Sequence, residues 1–296
     1  MPEDHESDST DPRRTLRTMA KEPGFQLTRS AAERYERTAA PIMAPFVSAL
    51  LAASRVRTGS AVLVVACGTG FAARAATERV GPMGRVVGLD VNPTMLEVAA
   101  VHGAGNAIEW VEGSAEALPF PRETFDAVVL QQGPQFVTDV RQGLQFVTDL
   151  QQAVHEAARV VRADGCVAAT VWLPVARSPY FDACRRALQS IVGEGALAPL
   201  HRQFGCDPEQ VRRAFRSAGL HDIEVDDIVV DISLPDAVDF IPAQLSAVPW
   251  GAALSDVVPD ARDRAARAIL MELVDLIDAD GTLTAPFAAA LVSGNP

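Results

Sequence analysis

The feature that most constrains this chain is the run Ala61-Val62-Leu63-Val64-Val65-Ala66, followed at once by Cys67-Gly68-Thr69-Gly70. A strand apolar at every position is covered on both faces, which is the condition of a strand inside a parallel sheet. The glycines permit a tight turn into the Ala-rich stretch beyond, which reads as a helix. The alternation then repeats. Arg85 to Asp90 is a second strand, and Asn92-Pro93 opens a helix through Met95 and Leu96. Ile108 to Val111 is a third strand. Asp126 to Leu130, entered through the turn Pro121 to Thr124, is a fourth. Ala153 to Val161 reads as a helix closed by Ala163-Asp164-Gly165, and Cys166 to Trp172 as a fifth strand.

Strands alternating with helices at this spacing build βαβ units. The flanks add to them. Residues 1–22 are charged and read as a mobile tail. Ser30 has the place of an N-cap, with Glu33 completing a capping box ahead of a helix from Ala31 to Thr38. A second helix, Ile42 to Ser54, carries Met43, Phe46, Leu50 and Leu51 at helical spacing. Beyond Trp172 the pattern predicts helices at Pro179 to Val192 and Asp207 to Ala218, the latter capped by Asp207 and stopped by Gly219. Ile223 to Ile232 alternates as a strand. Pro235 to Ile277 is mostly helical, interrupted by Pro242, Pro249 and Pro259. Phe287 to Val292 is predicted to be the last strand, with a terminal helix as the alternative. The expected fold is therefore α/β: a Rossmann-like, doubly wound, mostly parallel seven-stranded sheet with N-terminal helices and a C-terminal helical cap inserted over its active edge. The expected divisions are a tail (1–22), cap helices (23–55), a cofactor-binding domain (56–175), and a remainder (176–296) that completes the sheet and binds substrate. One oddity stands apart: Gln132 to Arg141 (QGPQFVTDVR) is nearly repeated by Gln142 to Gln151 (QGLQFVTDLQ). Two ten-residue copies are too few and too short for a solenoid. They read as a local duplication whose extra copy bulges beside the expected site.

Charge excludes some functions. The formal net charge is -12, whereas a nucleic-acid binder needs a basic face to displace phosphate counterions. The same field repels acidic membranes, and no apolar run reaches spanning length. The polar N-terminus lacks the apolar segment of a signal peptide. Cys67, Cys166, Cys184 and Cys206 form no CxxC pair and no metal-ligand spacing; Cys67 and Cys166 read as small buried hydrophobes. A cytoplasmic protein with no metal, no nucleic-acid partner and no membrane partner is expected, with a homodimer allowed.

In open α/β sheets, ligands bind at the carboxyl ends of the strands, where the strand order reverses. The first such turn here is Ala66 to Gly70. The next strand ends in Asp90, whose carboxylate can accept hydrogen bonds from ribose hydroxyls. A dinucleotide site would need a third glycine where Ala73 stands.

These segments resemble the class I S-adenosylmethionine-dependent methyltransferases, and more narrowly the group related to ubiquinone/menaquinone-biosynthesis C-methyltransferases. The stretches that carry the likeness are VLVVACGTG (62–70), VVGLDVNPTMLEVA (86–99), IEWVEGSAEALPFP (108–121), FDAVVLQQG (125–133) and ARVVRADGCVAATVW (158–172), with SAAERYERTAAP (30–41) matching a preceding cap helix. The resemblance implies S-adenosylmethionine as cofactor and a role for each matching position. Ala66, Gly68, Thr69 and Gly70 would form its cradle, with Gly68 and Gly70 under the methionine and ribose. Asp90 would hold the ribose, and Val91 and Met95 would lie near the adenine. Ser114, Ala115 and Glu116 would face the adenine edge. Gln131 and Gln132 would lie near the sulfonium and the acceptor, and Tyr35 would close over the cofactor.

Two positions depart from that pattern. Val64 stands where an acidic residue usually helps hold the methionine end, and Ser114 stands where an aspartate is usual. A charged hydrogen bond is worth about 1.5–3 kcal/mol, so losing two would weaken cofactor binding by roughly one to three decades unless other groups compensate. This leaves open a fold that binds the cofactor weakly and has a non-methyl role, as a cyclisation catalyst or a scaffold.

Methyl transfer needs alignment and a dry pocket more than a dedicated side chain, although a hydroxyl or acidic carbon acceptor is helped by a base. His201, between Leu200 and Phe204, is the candidate base. Phe181, Phe204, Phe240 and Trp250 in the cap point to a small apolar or aromatic acceptor.

Overall fold

A computed structural model describes residues 28–133, 149–252, 254 and 260–296. The N-terminal tail and most of the duplicated segment lie outside the described residues. Helix α1 (Arg29–Ala53) is a single 25-residue element running through Pro41 and Pro45, where two helices were expected. Proline inside a helix removes a hydrogen bond and costs roughly 3 kcal/mol. Burial of Ile42, Met43, Phe46, Val47, Leu50 and Leu51 along the same helix offsets it. Its cap is Thr28 rather than Ser30: the Ala31 N–H donates to Thr28 Oγ1 at 3.4 Å. Glu33 does not complete a capping box but pairs with Arg29 at 3.2 Å.

The expected βαβ units follow: β1 (Ala61–Val65), α2 (Phe71–Val80), β2 (Arg85–Asp90), α3 (Pro93–His102), β3 (Ile108–Glu112), β4 (Phe125–Gln131), α4 (Leu150–Val160) and β5 (Val161–Trp172). Beyond them come α5 (Pro179–Val192), α6 (Ala198–Phe204), α7 (Pro208–Ser217), β6 (His221–Leu234), α8 (Ala237–Leu245), α9 (Pro249–Ala252), α10 (Ala261–Glu272) and β7 (Leu283–Asn295). The sheet order is β3-β2-β1-β4-β5-β7-β6. β1 to β5 pair in parallel, while β7 runs antiparallel to both β5 and β6. The last segment is thus the predicted strand, and α8 to α10 are inserted between β6 and β7.

β1 shows why the core has two sides. Leu63 and Val65 join a cluster with Val154 and Ala157 of α4 and Phe215 of α7. Val62 and Val64 join one with Leu50 of α1 and Ala72 and Ala76 of α2. A third cluster builds the cap, with Phe181 and Leu188 of α5, Leu200 and Phe204 of α6, Ile241 of α8 and Ile269 of α10 packed on Phe46 and Trp172. The join between α4 and β5 differs from the expected Ala163-Asp164-Gly165 stop. The chain turns extended at Val161, which already pairs with Phe125. Gly165 then passes so close to the neighbouring strand that a Cβ there would stand 2.7 Å from the Asp126 carbonyl oxygen.

Candidate active site

The strand order reverses between β1 and β4, and a pocket opens at the carboxyl ends of these strands. Together with its open mouth it takes in about 1040 Å³. Its floor is Val64, Ala66, Cys67 and Gly68 after β1, Asp90 after β2, and Gln131, Gln132 and Gly133 after β4. The N-terminal helix contributes Tyr35, Ala39, Ile42 and Met43; the cap contributes Phe181, Gln203, Gln244 and Val248; Trp172 stands at the end of β5.

The β1–α2 turn is held from below. Gly70 has φ +84°, and a Cβ there would lie 2.4 Å from Trp110 Cη2, so position 70 demands glycine on both conformational and steric grounds. Gly68, at φ +54°, has no atom within 4 Å of where a Cβ would be and faces open space. Its N–H donates to Asp90 Oδ2 at 2.7 Å, and the Asn92 N–H donates to Asp90 Oδ1 at 2.9 Å. The two strand ends are thereby locked together with the carboxylate at the pocket wall. Burial raises the Asp90 pKa, and the backbone N–H bonds from Asn92, Gly68 and Val91 oppose that rise. Burial, and then the Asp90 charge, push the Tyr35 hydroxyl and the Cys67 thiol upward as well, so both stay protonated.

Two non-glycine residues in the floor have left-handed backbone: Ala66 at φ 52° and Gln132 at φ 51°. Such residues cost about 1–2 kcal/mol each and tend to gather at functional sites. Gln132 is buried, and among the described residues neither atom of its amide has a hydrogen-bond partner; the same holds for Thr69 Oγ1. Gln131, by contrast, donates through Nε2 to the Met43 carbonyl at 3.1 Å, which leaves its oxygen for the pocket. A carboxylate aligned by two backbone N–H groups, an uncrowded glycine and an unpaired buried amide suit a polar nucleoside, so the residues present fit an adenosyl ligand.

The predicted residues divide accordingly. Tyr35, Ala66, Gly68, Asp90, Met95, Gln131 and Gln132 are brought together around the pocket. Thr69 and Gly70 support the turn without lining it. Val91 is 43% exposed and does not line the pocket. Ser114 Oγ accepts from the Glu116 N–H at 3.1 Å, Ala115 is buried in the core, and Glu116 Oε1 accepts from the Asp149 N–H at 3.1 Å. This loop flanks Asp90 through Gly113, whose N–H donates to the Asp90 carbonyl at 3.0 Å. His201 is not among the residues that line the pocket. Helix α6 turns Leu200, Gln203 and Phe204 inward, leaving the His201 side chain half exposed, 3.6 Å from Glu194. The residue that reaches the pocket from α6 is Gln203. Sequence reasoning missed Gln203, Gln244 and Phe71; a glutamine inside an apolar helical stretch was the available signal.

Glu36 and Arg74 were also missed. Arg74 pairs with the buried Glu36 of α1 and donates through Nη1 to the Thr69 carbonyl at 2.8 Å, tying α1 to the cofactor turn.

The fold and the site together define a Rossmann-like domain with an open pocket at its switch point, under a helical cap. Comparison with known proteins narrows this. Residues 63–169 match the methyltransferase domain family. A ubiquinone/menaquinone biosynthesis C-methyltransferase of Hahella chejuensis is 42% identical over 116 residues, covering 38% of this chain and 43% of that protein. A demethylmenaquinone methyltransferase of Lactococcus lactis is 42% identical over 79 residues, covering 26% of this chain and 31% of its own. The matched stretch thus spans less than half the length of these relatives. The structure of a Haemonchus contortus phosphoethanolamine N-methyltransferase with S-adenosyl-L-methionine superposes with a TM-score of 0.56, at 19% identity, over 92% of this chain and 58% of that one; this likeness concerns the fold. Residues 63–169 are thus similar to the methyltransferase domain of the ubiquinone/menaquinone C-methyltransferases.

Proposed function

We propose that this protein transfers a methyl group from S-adenosylmethionine to a small, uncharged, apolar or aromatic acceptor, at carbon or at oxygen. The observation that carries this reading is the continuity of one pocket. Its floor holds the Gly68–Asp90 lock, and its roof is Ile42, Met43, Trp172, Phe181 and Val248. When bound, S-adenosylmethionine supplies a sulfonium-activated methyl group and leaves as a neutral thioether. Asp90 accepts from the ribose hydroxyls, and Met95 borders the adenine. The apolar roof excludes water and aligns the acceptor, which is most of what an in-line displacement at carbon asks of a protein.

The described lining contains no histidine and no lysine. Tyr35 and Cys67 are held in their neutral forms. The acceptor therefore brings its own acidity, as a phenolic or enolisable carbon does and an unactivated alcohol does not. C-methylation of an oxygenated ring fits this lining, and the activity named for the relatives supports it. Among the described residues no helix is long and apolar enough to cross a membrane; a cytoplasmic setting belongs to the same reading. Calorimetric titration with S-adenosylmethionine and S-adenosylhomocysteine tests the proposal. Micromolar binding is expected, and absent or millimolar binding would remove it. Mass spectrometry of a co-purified ligand would then identify the acceptor.

A further inference from the structure

Two amide side chains of the cap reach the pocket with their oxygens already engaged. Gln203 Oε1 accepts from the Trp250 indole N–H at 2.9 Å, and both residues are buried. Gln244 Oε1 accepts from the Tyr180 hydroxyl, a fully buried group. An indole nitrogen only donates. The Gln203 atom facing it must therefore be the carbonyl oxygen, which sends the NH₂ group the other way. The Tyr180 hydroxyl likewise donates to Gln244 Oε1, which leaves that amide's NH₂ on the other side. Neither Nε2 has a partner among the described residues, and both side chains line the pocket.

Buried N–H donors are ordinarily paired, and leaving one unpaired is unfavourable. The amides of Gln203 and Gln244 come from different helices to the lining of one apolar chamber, where an acceptor atom of a ligand would pair their N–H groups. The roof around them is Ile42, Met43, Trp172, Phe181 and Val248, all without charge. An ammonium acceptor would meet two donors of its own sign and no carboxylate on the roof. An anion would be buried against neutral donors alone, which does not compensate its loss of water. A carbonyl or hydroxyl oxygen on an uncharged apolar skeleton satisfies both amides and the roof.

We infer that Gln203 and Gln244 are specificity-determining residues: their N–H groups bind the oxygen of an uncharged acceptor and select oxygenated skeletons over hydrocarbons and amines. This rests on reading the chamber as the acceptor site of the methyl-transfer reaction. The glutamines position the oxygen; they do not touch the methyl group in flight.

The test uses the full chain saturated with S-adenosylhomocysteine and three probes of one shape: 1-tetralone (a carbonyl), tetralin (no oxygen) and 2-aminotetralin (an ammonium). Calorimetry of the unmodified protein should show 1-tetralone binding at least about tenfold more tightly than either other probe, the worth of one neutral hydrogen bond. Gln203→Met and Gln244→Met should each weaken 1-tetralone about tenfold and leave tetralin within threefold. Gln203→Glu and Gln244→Glu, which keep an oxygen for Trp250 and Tyr180, should do the same and serve if the Met variants fold poorly. Equal binding of the probes, or no binding of any, overturns the inference. So does parallel loss of 1-tetralone and tetralin in the variants, which would mark a merely structural role. Oxygen preference in a protein that does not bind S-adenosylhomocysteine would sustain the glutamine assignment and sink the methyl-transfer reading.

Discussion

Asp90→Asn is the most informative single change. The two carboxylate oxygens accept from the N–H groups of Gly68 at 2.7 Å and Asn92 at 2.9 Å, and they still have lone pairs directed at the pocket. An asparagine keeps one oxygen. Its NH₂ must then face either a backbone N–H or the ligand, and the hydrogen bond on that side breaks. A backbone N–H bond to the carboxylate is worth about 1.5–3 kcal/mol, and relief of a buried charge returns part of that to the free protein. On the ligand side nothing is returned, because ribose hydroxyls that donated to a charged acceptor now meet an amide. A loss of 1.5–3 kcal/mol corresponds to a dissociation constant for S-adenosylhomocysteine about 10- to 150-fold higher, measured by calorimetry at neutral pH. The pH profile gives a second readout. The ligand binds the ionised carboxylate, so affinity should fall as pH drops through the raised Asp90 pKa, and the asparagine variant should lack that slope. Stability moves the other way. Since the folded pKa lies above the unfolded value, the native state holds the extra proton in that window, and stability declines as pH rises through it. Binding by Asp90→Asn within threefold of the unmodified protein would refute the assignment of Asp90 to the ribose.

Four further outcomes follow from the same geometry. Arg74→Ala strands the buried Glu36 carboxylate and should lower stability by roughly 3 kcal/mol in denaturant titration; a loss below about 1 kcal/mol would show that the pair does not tie α1 to the turn. Gly70→Ala must adopt φ +84° and meet Trp110, which together should cost roughly 3 kcal/mol; an unchanged Tm would contradict this. Val64→Asp buries an unpaired carboxylate and should lower the Tm of the free protein, yet tighten S-adenosylmethionine by about a decade if the ligand's ammonium lies over β1; weaker binding would place that ammonium elsewhere. His201→Ala removes only an exposed pairing with Glu194, so Tm, cofactor affinity and turnover on an identified acceptor should be unchanged; a large drop in turnover would restore His201 to the chemistry.

The cofactor half of the fold was legible because each piece carries a local signature. β1, β2 and β4 are apolar runs, Asn92-Pro93 and Asp207-Pro208 announce helix starts, and Gly68, Gly70 and Asp90 mark the switch point. What was not legible depends on packing across long sequence separations. The two prolines in α1 argue locally for a break, and only the apolar stripe from Ile42 to Leu51, laid on the sheet, overrides them. His201 and Gln203 differ by two residues on one short helix, and chemistry alone favoured the histidine; the orientation is set by Leu200 and Phe204 sinking into the cap. Gln203 and Gln244 acquire meaning only through Trp250 and Tyr180, 47 and 64 residues away in the chain.

The antiparallel insertion of β7 between β5 and β6 has a consequence for the order of assembly. Among the described residues β6 has no partner in the sheet except β7. A nascent chain that has emerged only as far as α10 therefore owns a five-stranded half-sheet with β5 bare along one edge, and a roof tethered at one end alone. Residues 283–295 close the sheet last, by joining β6 to β5, so backbone protection during synthesis should appear in two stages rather than one.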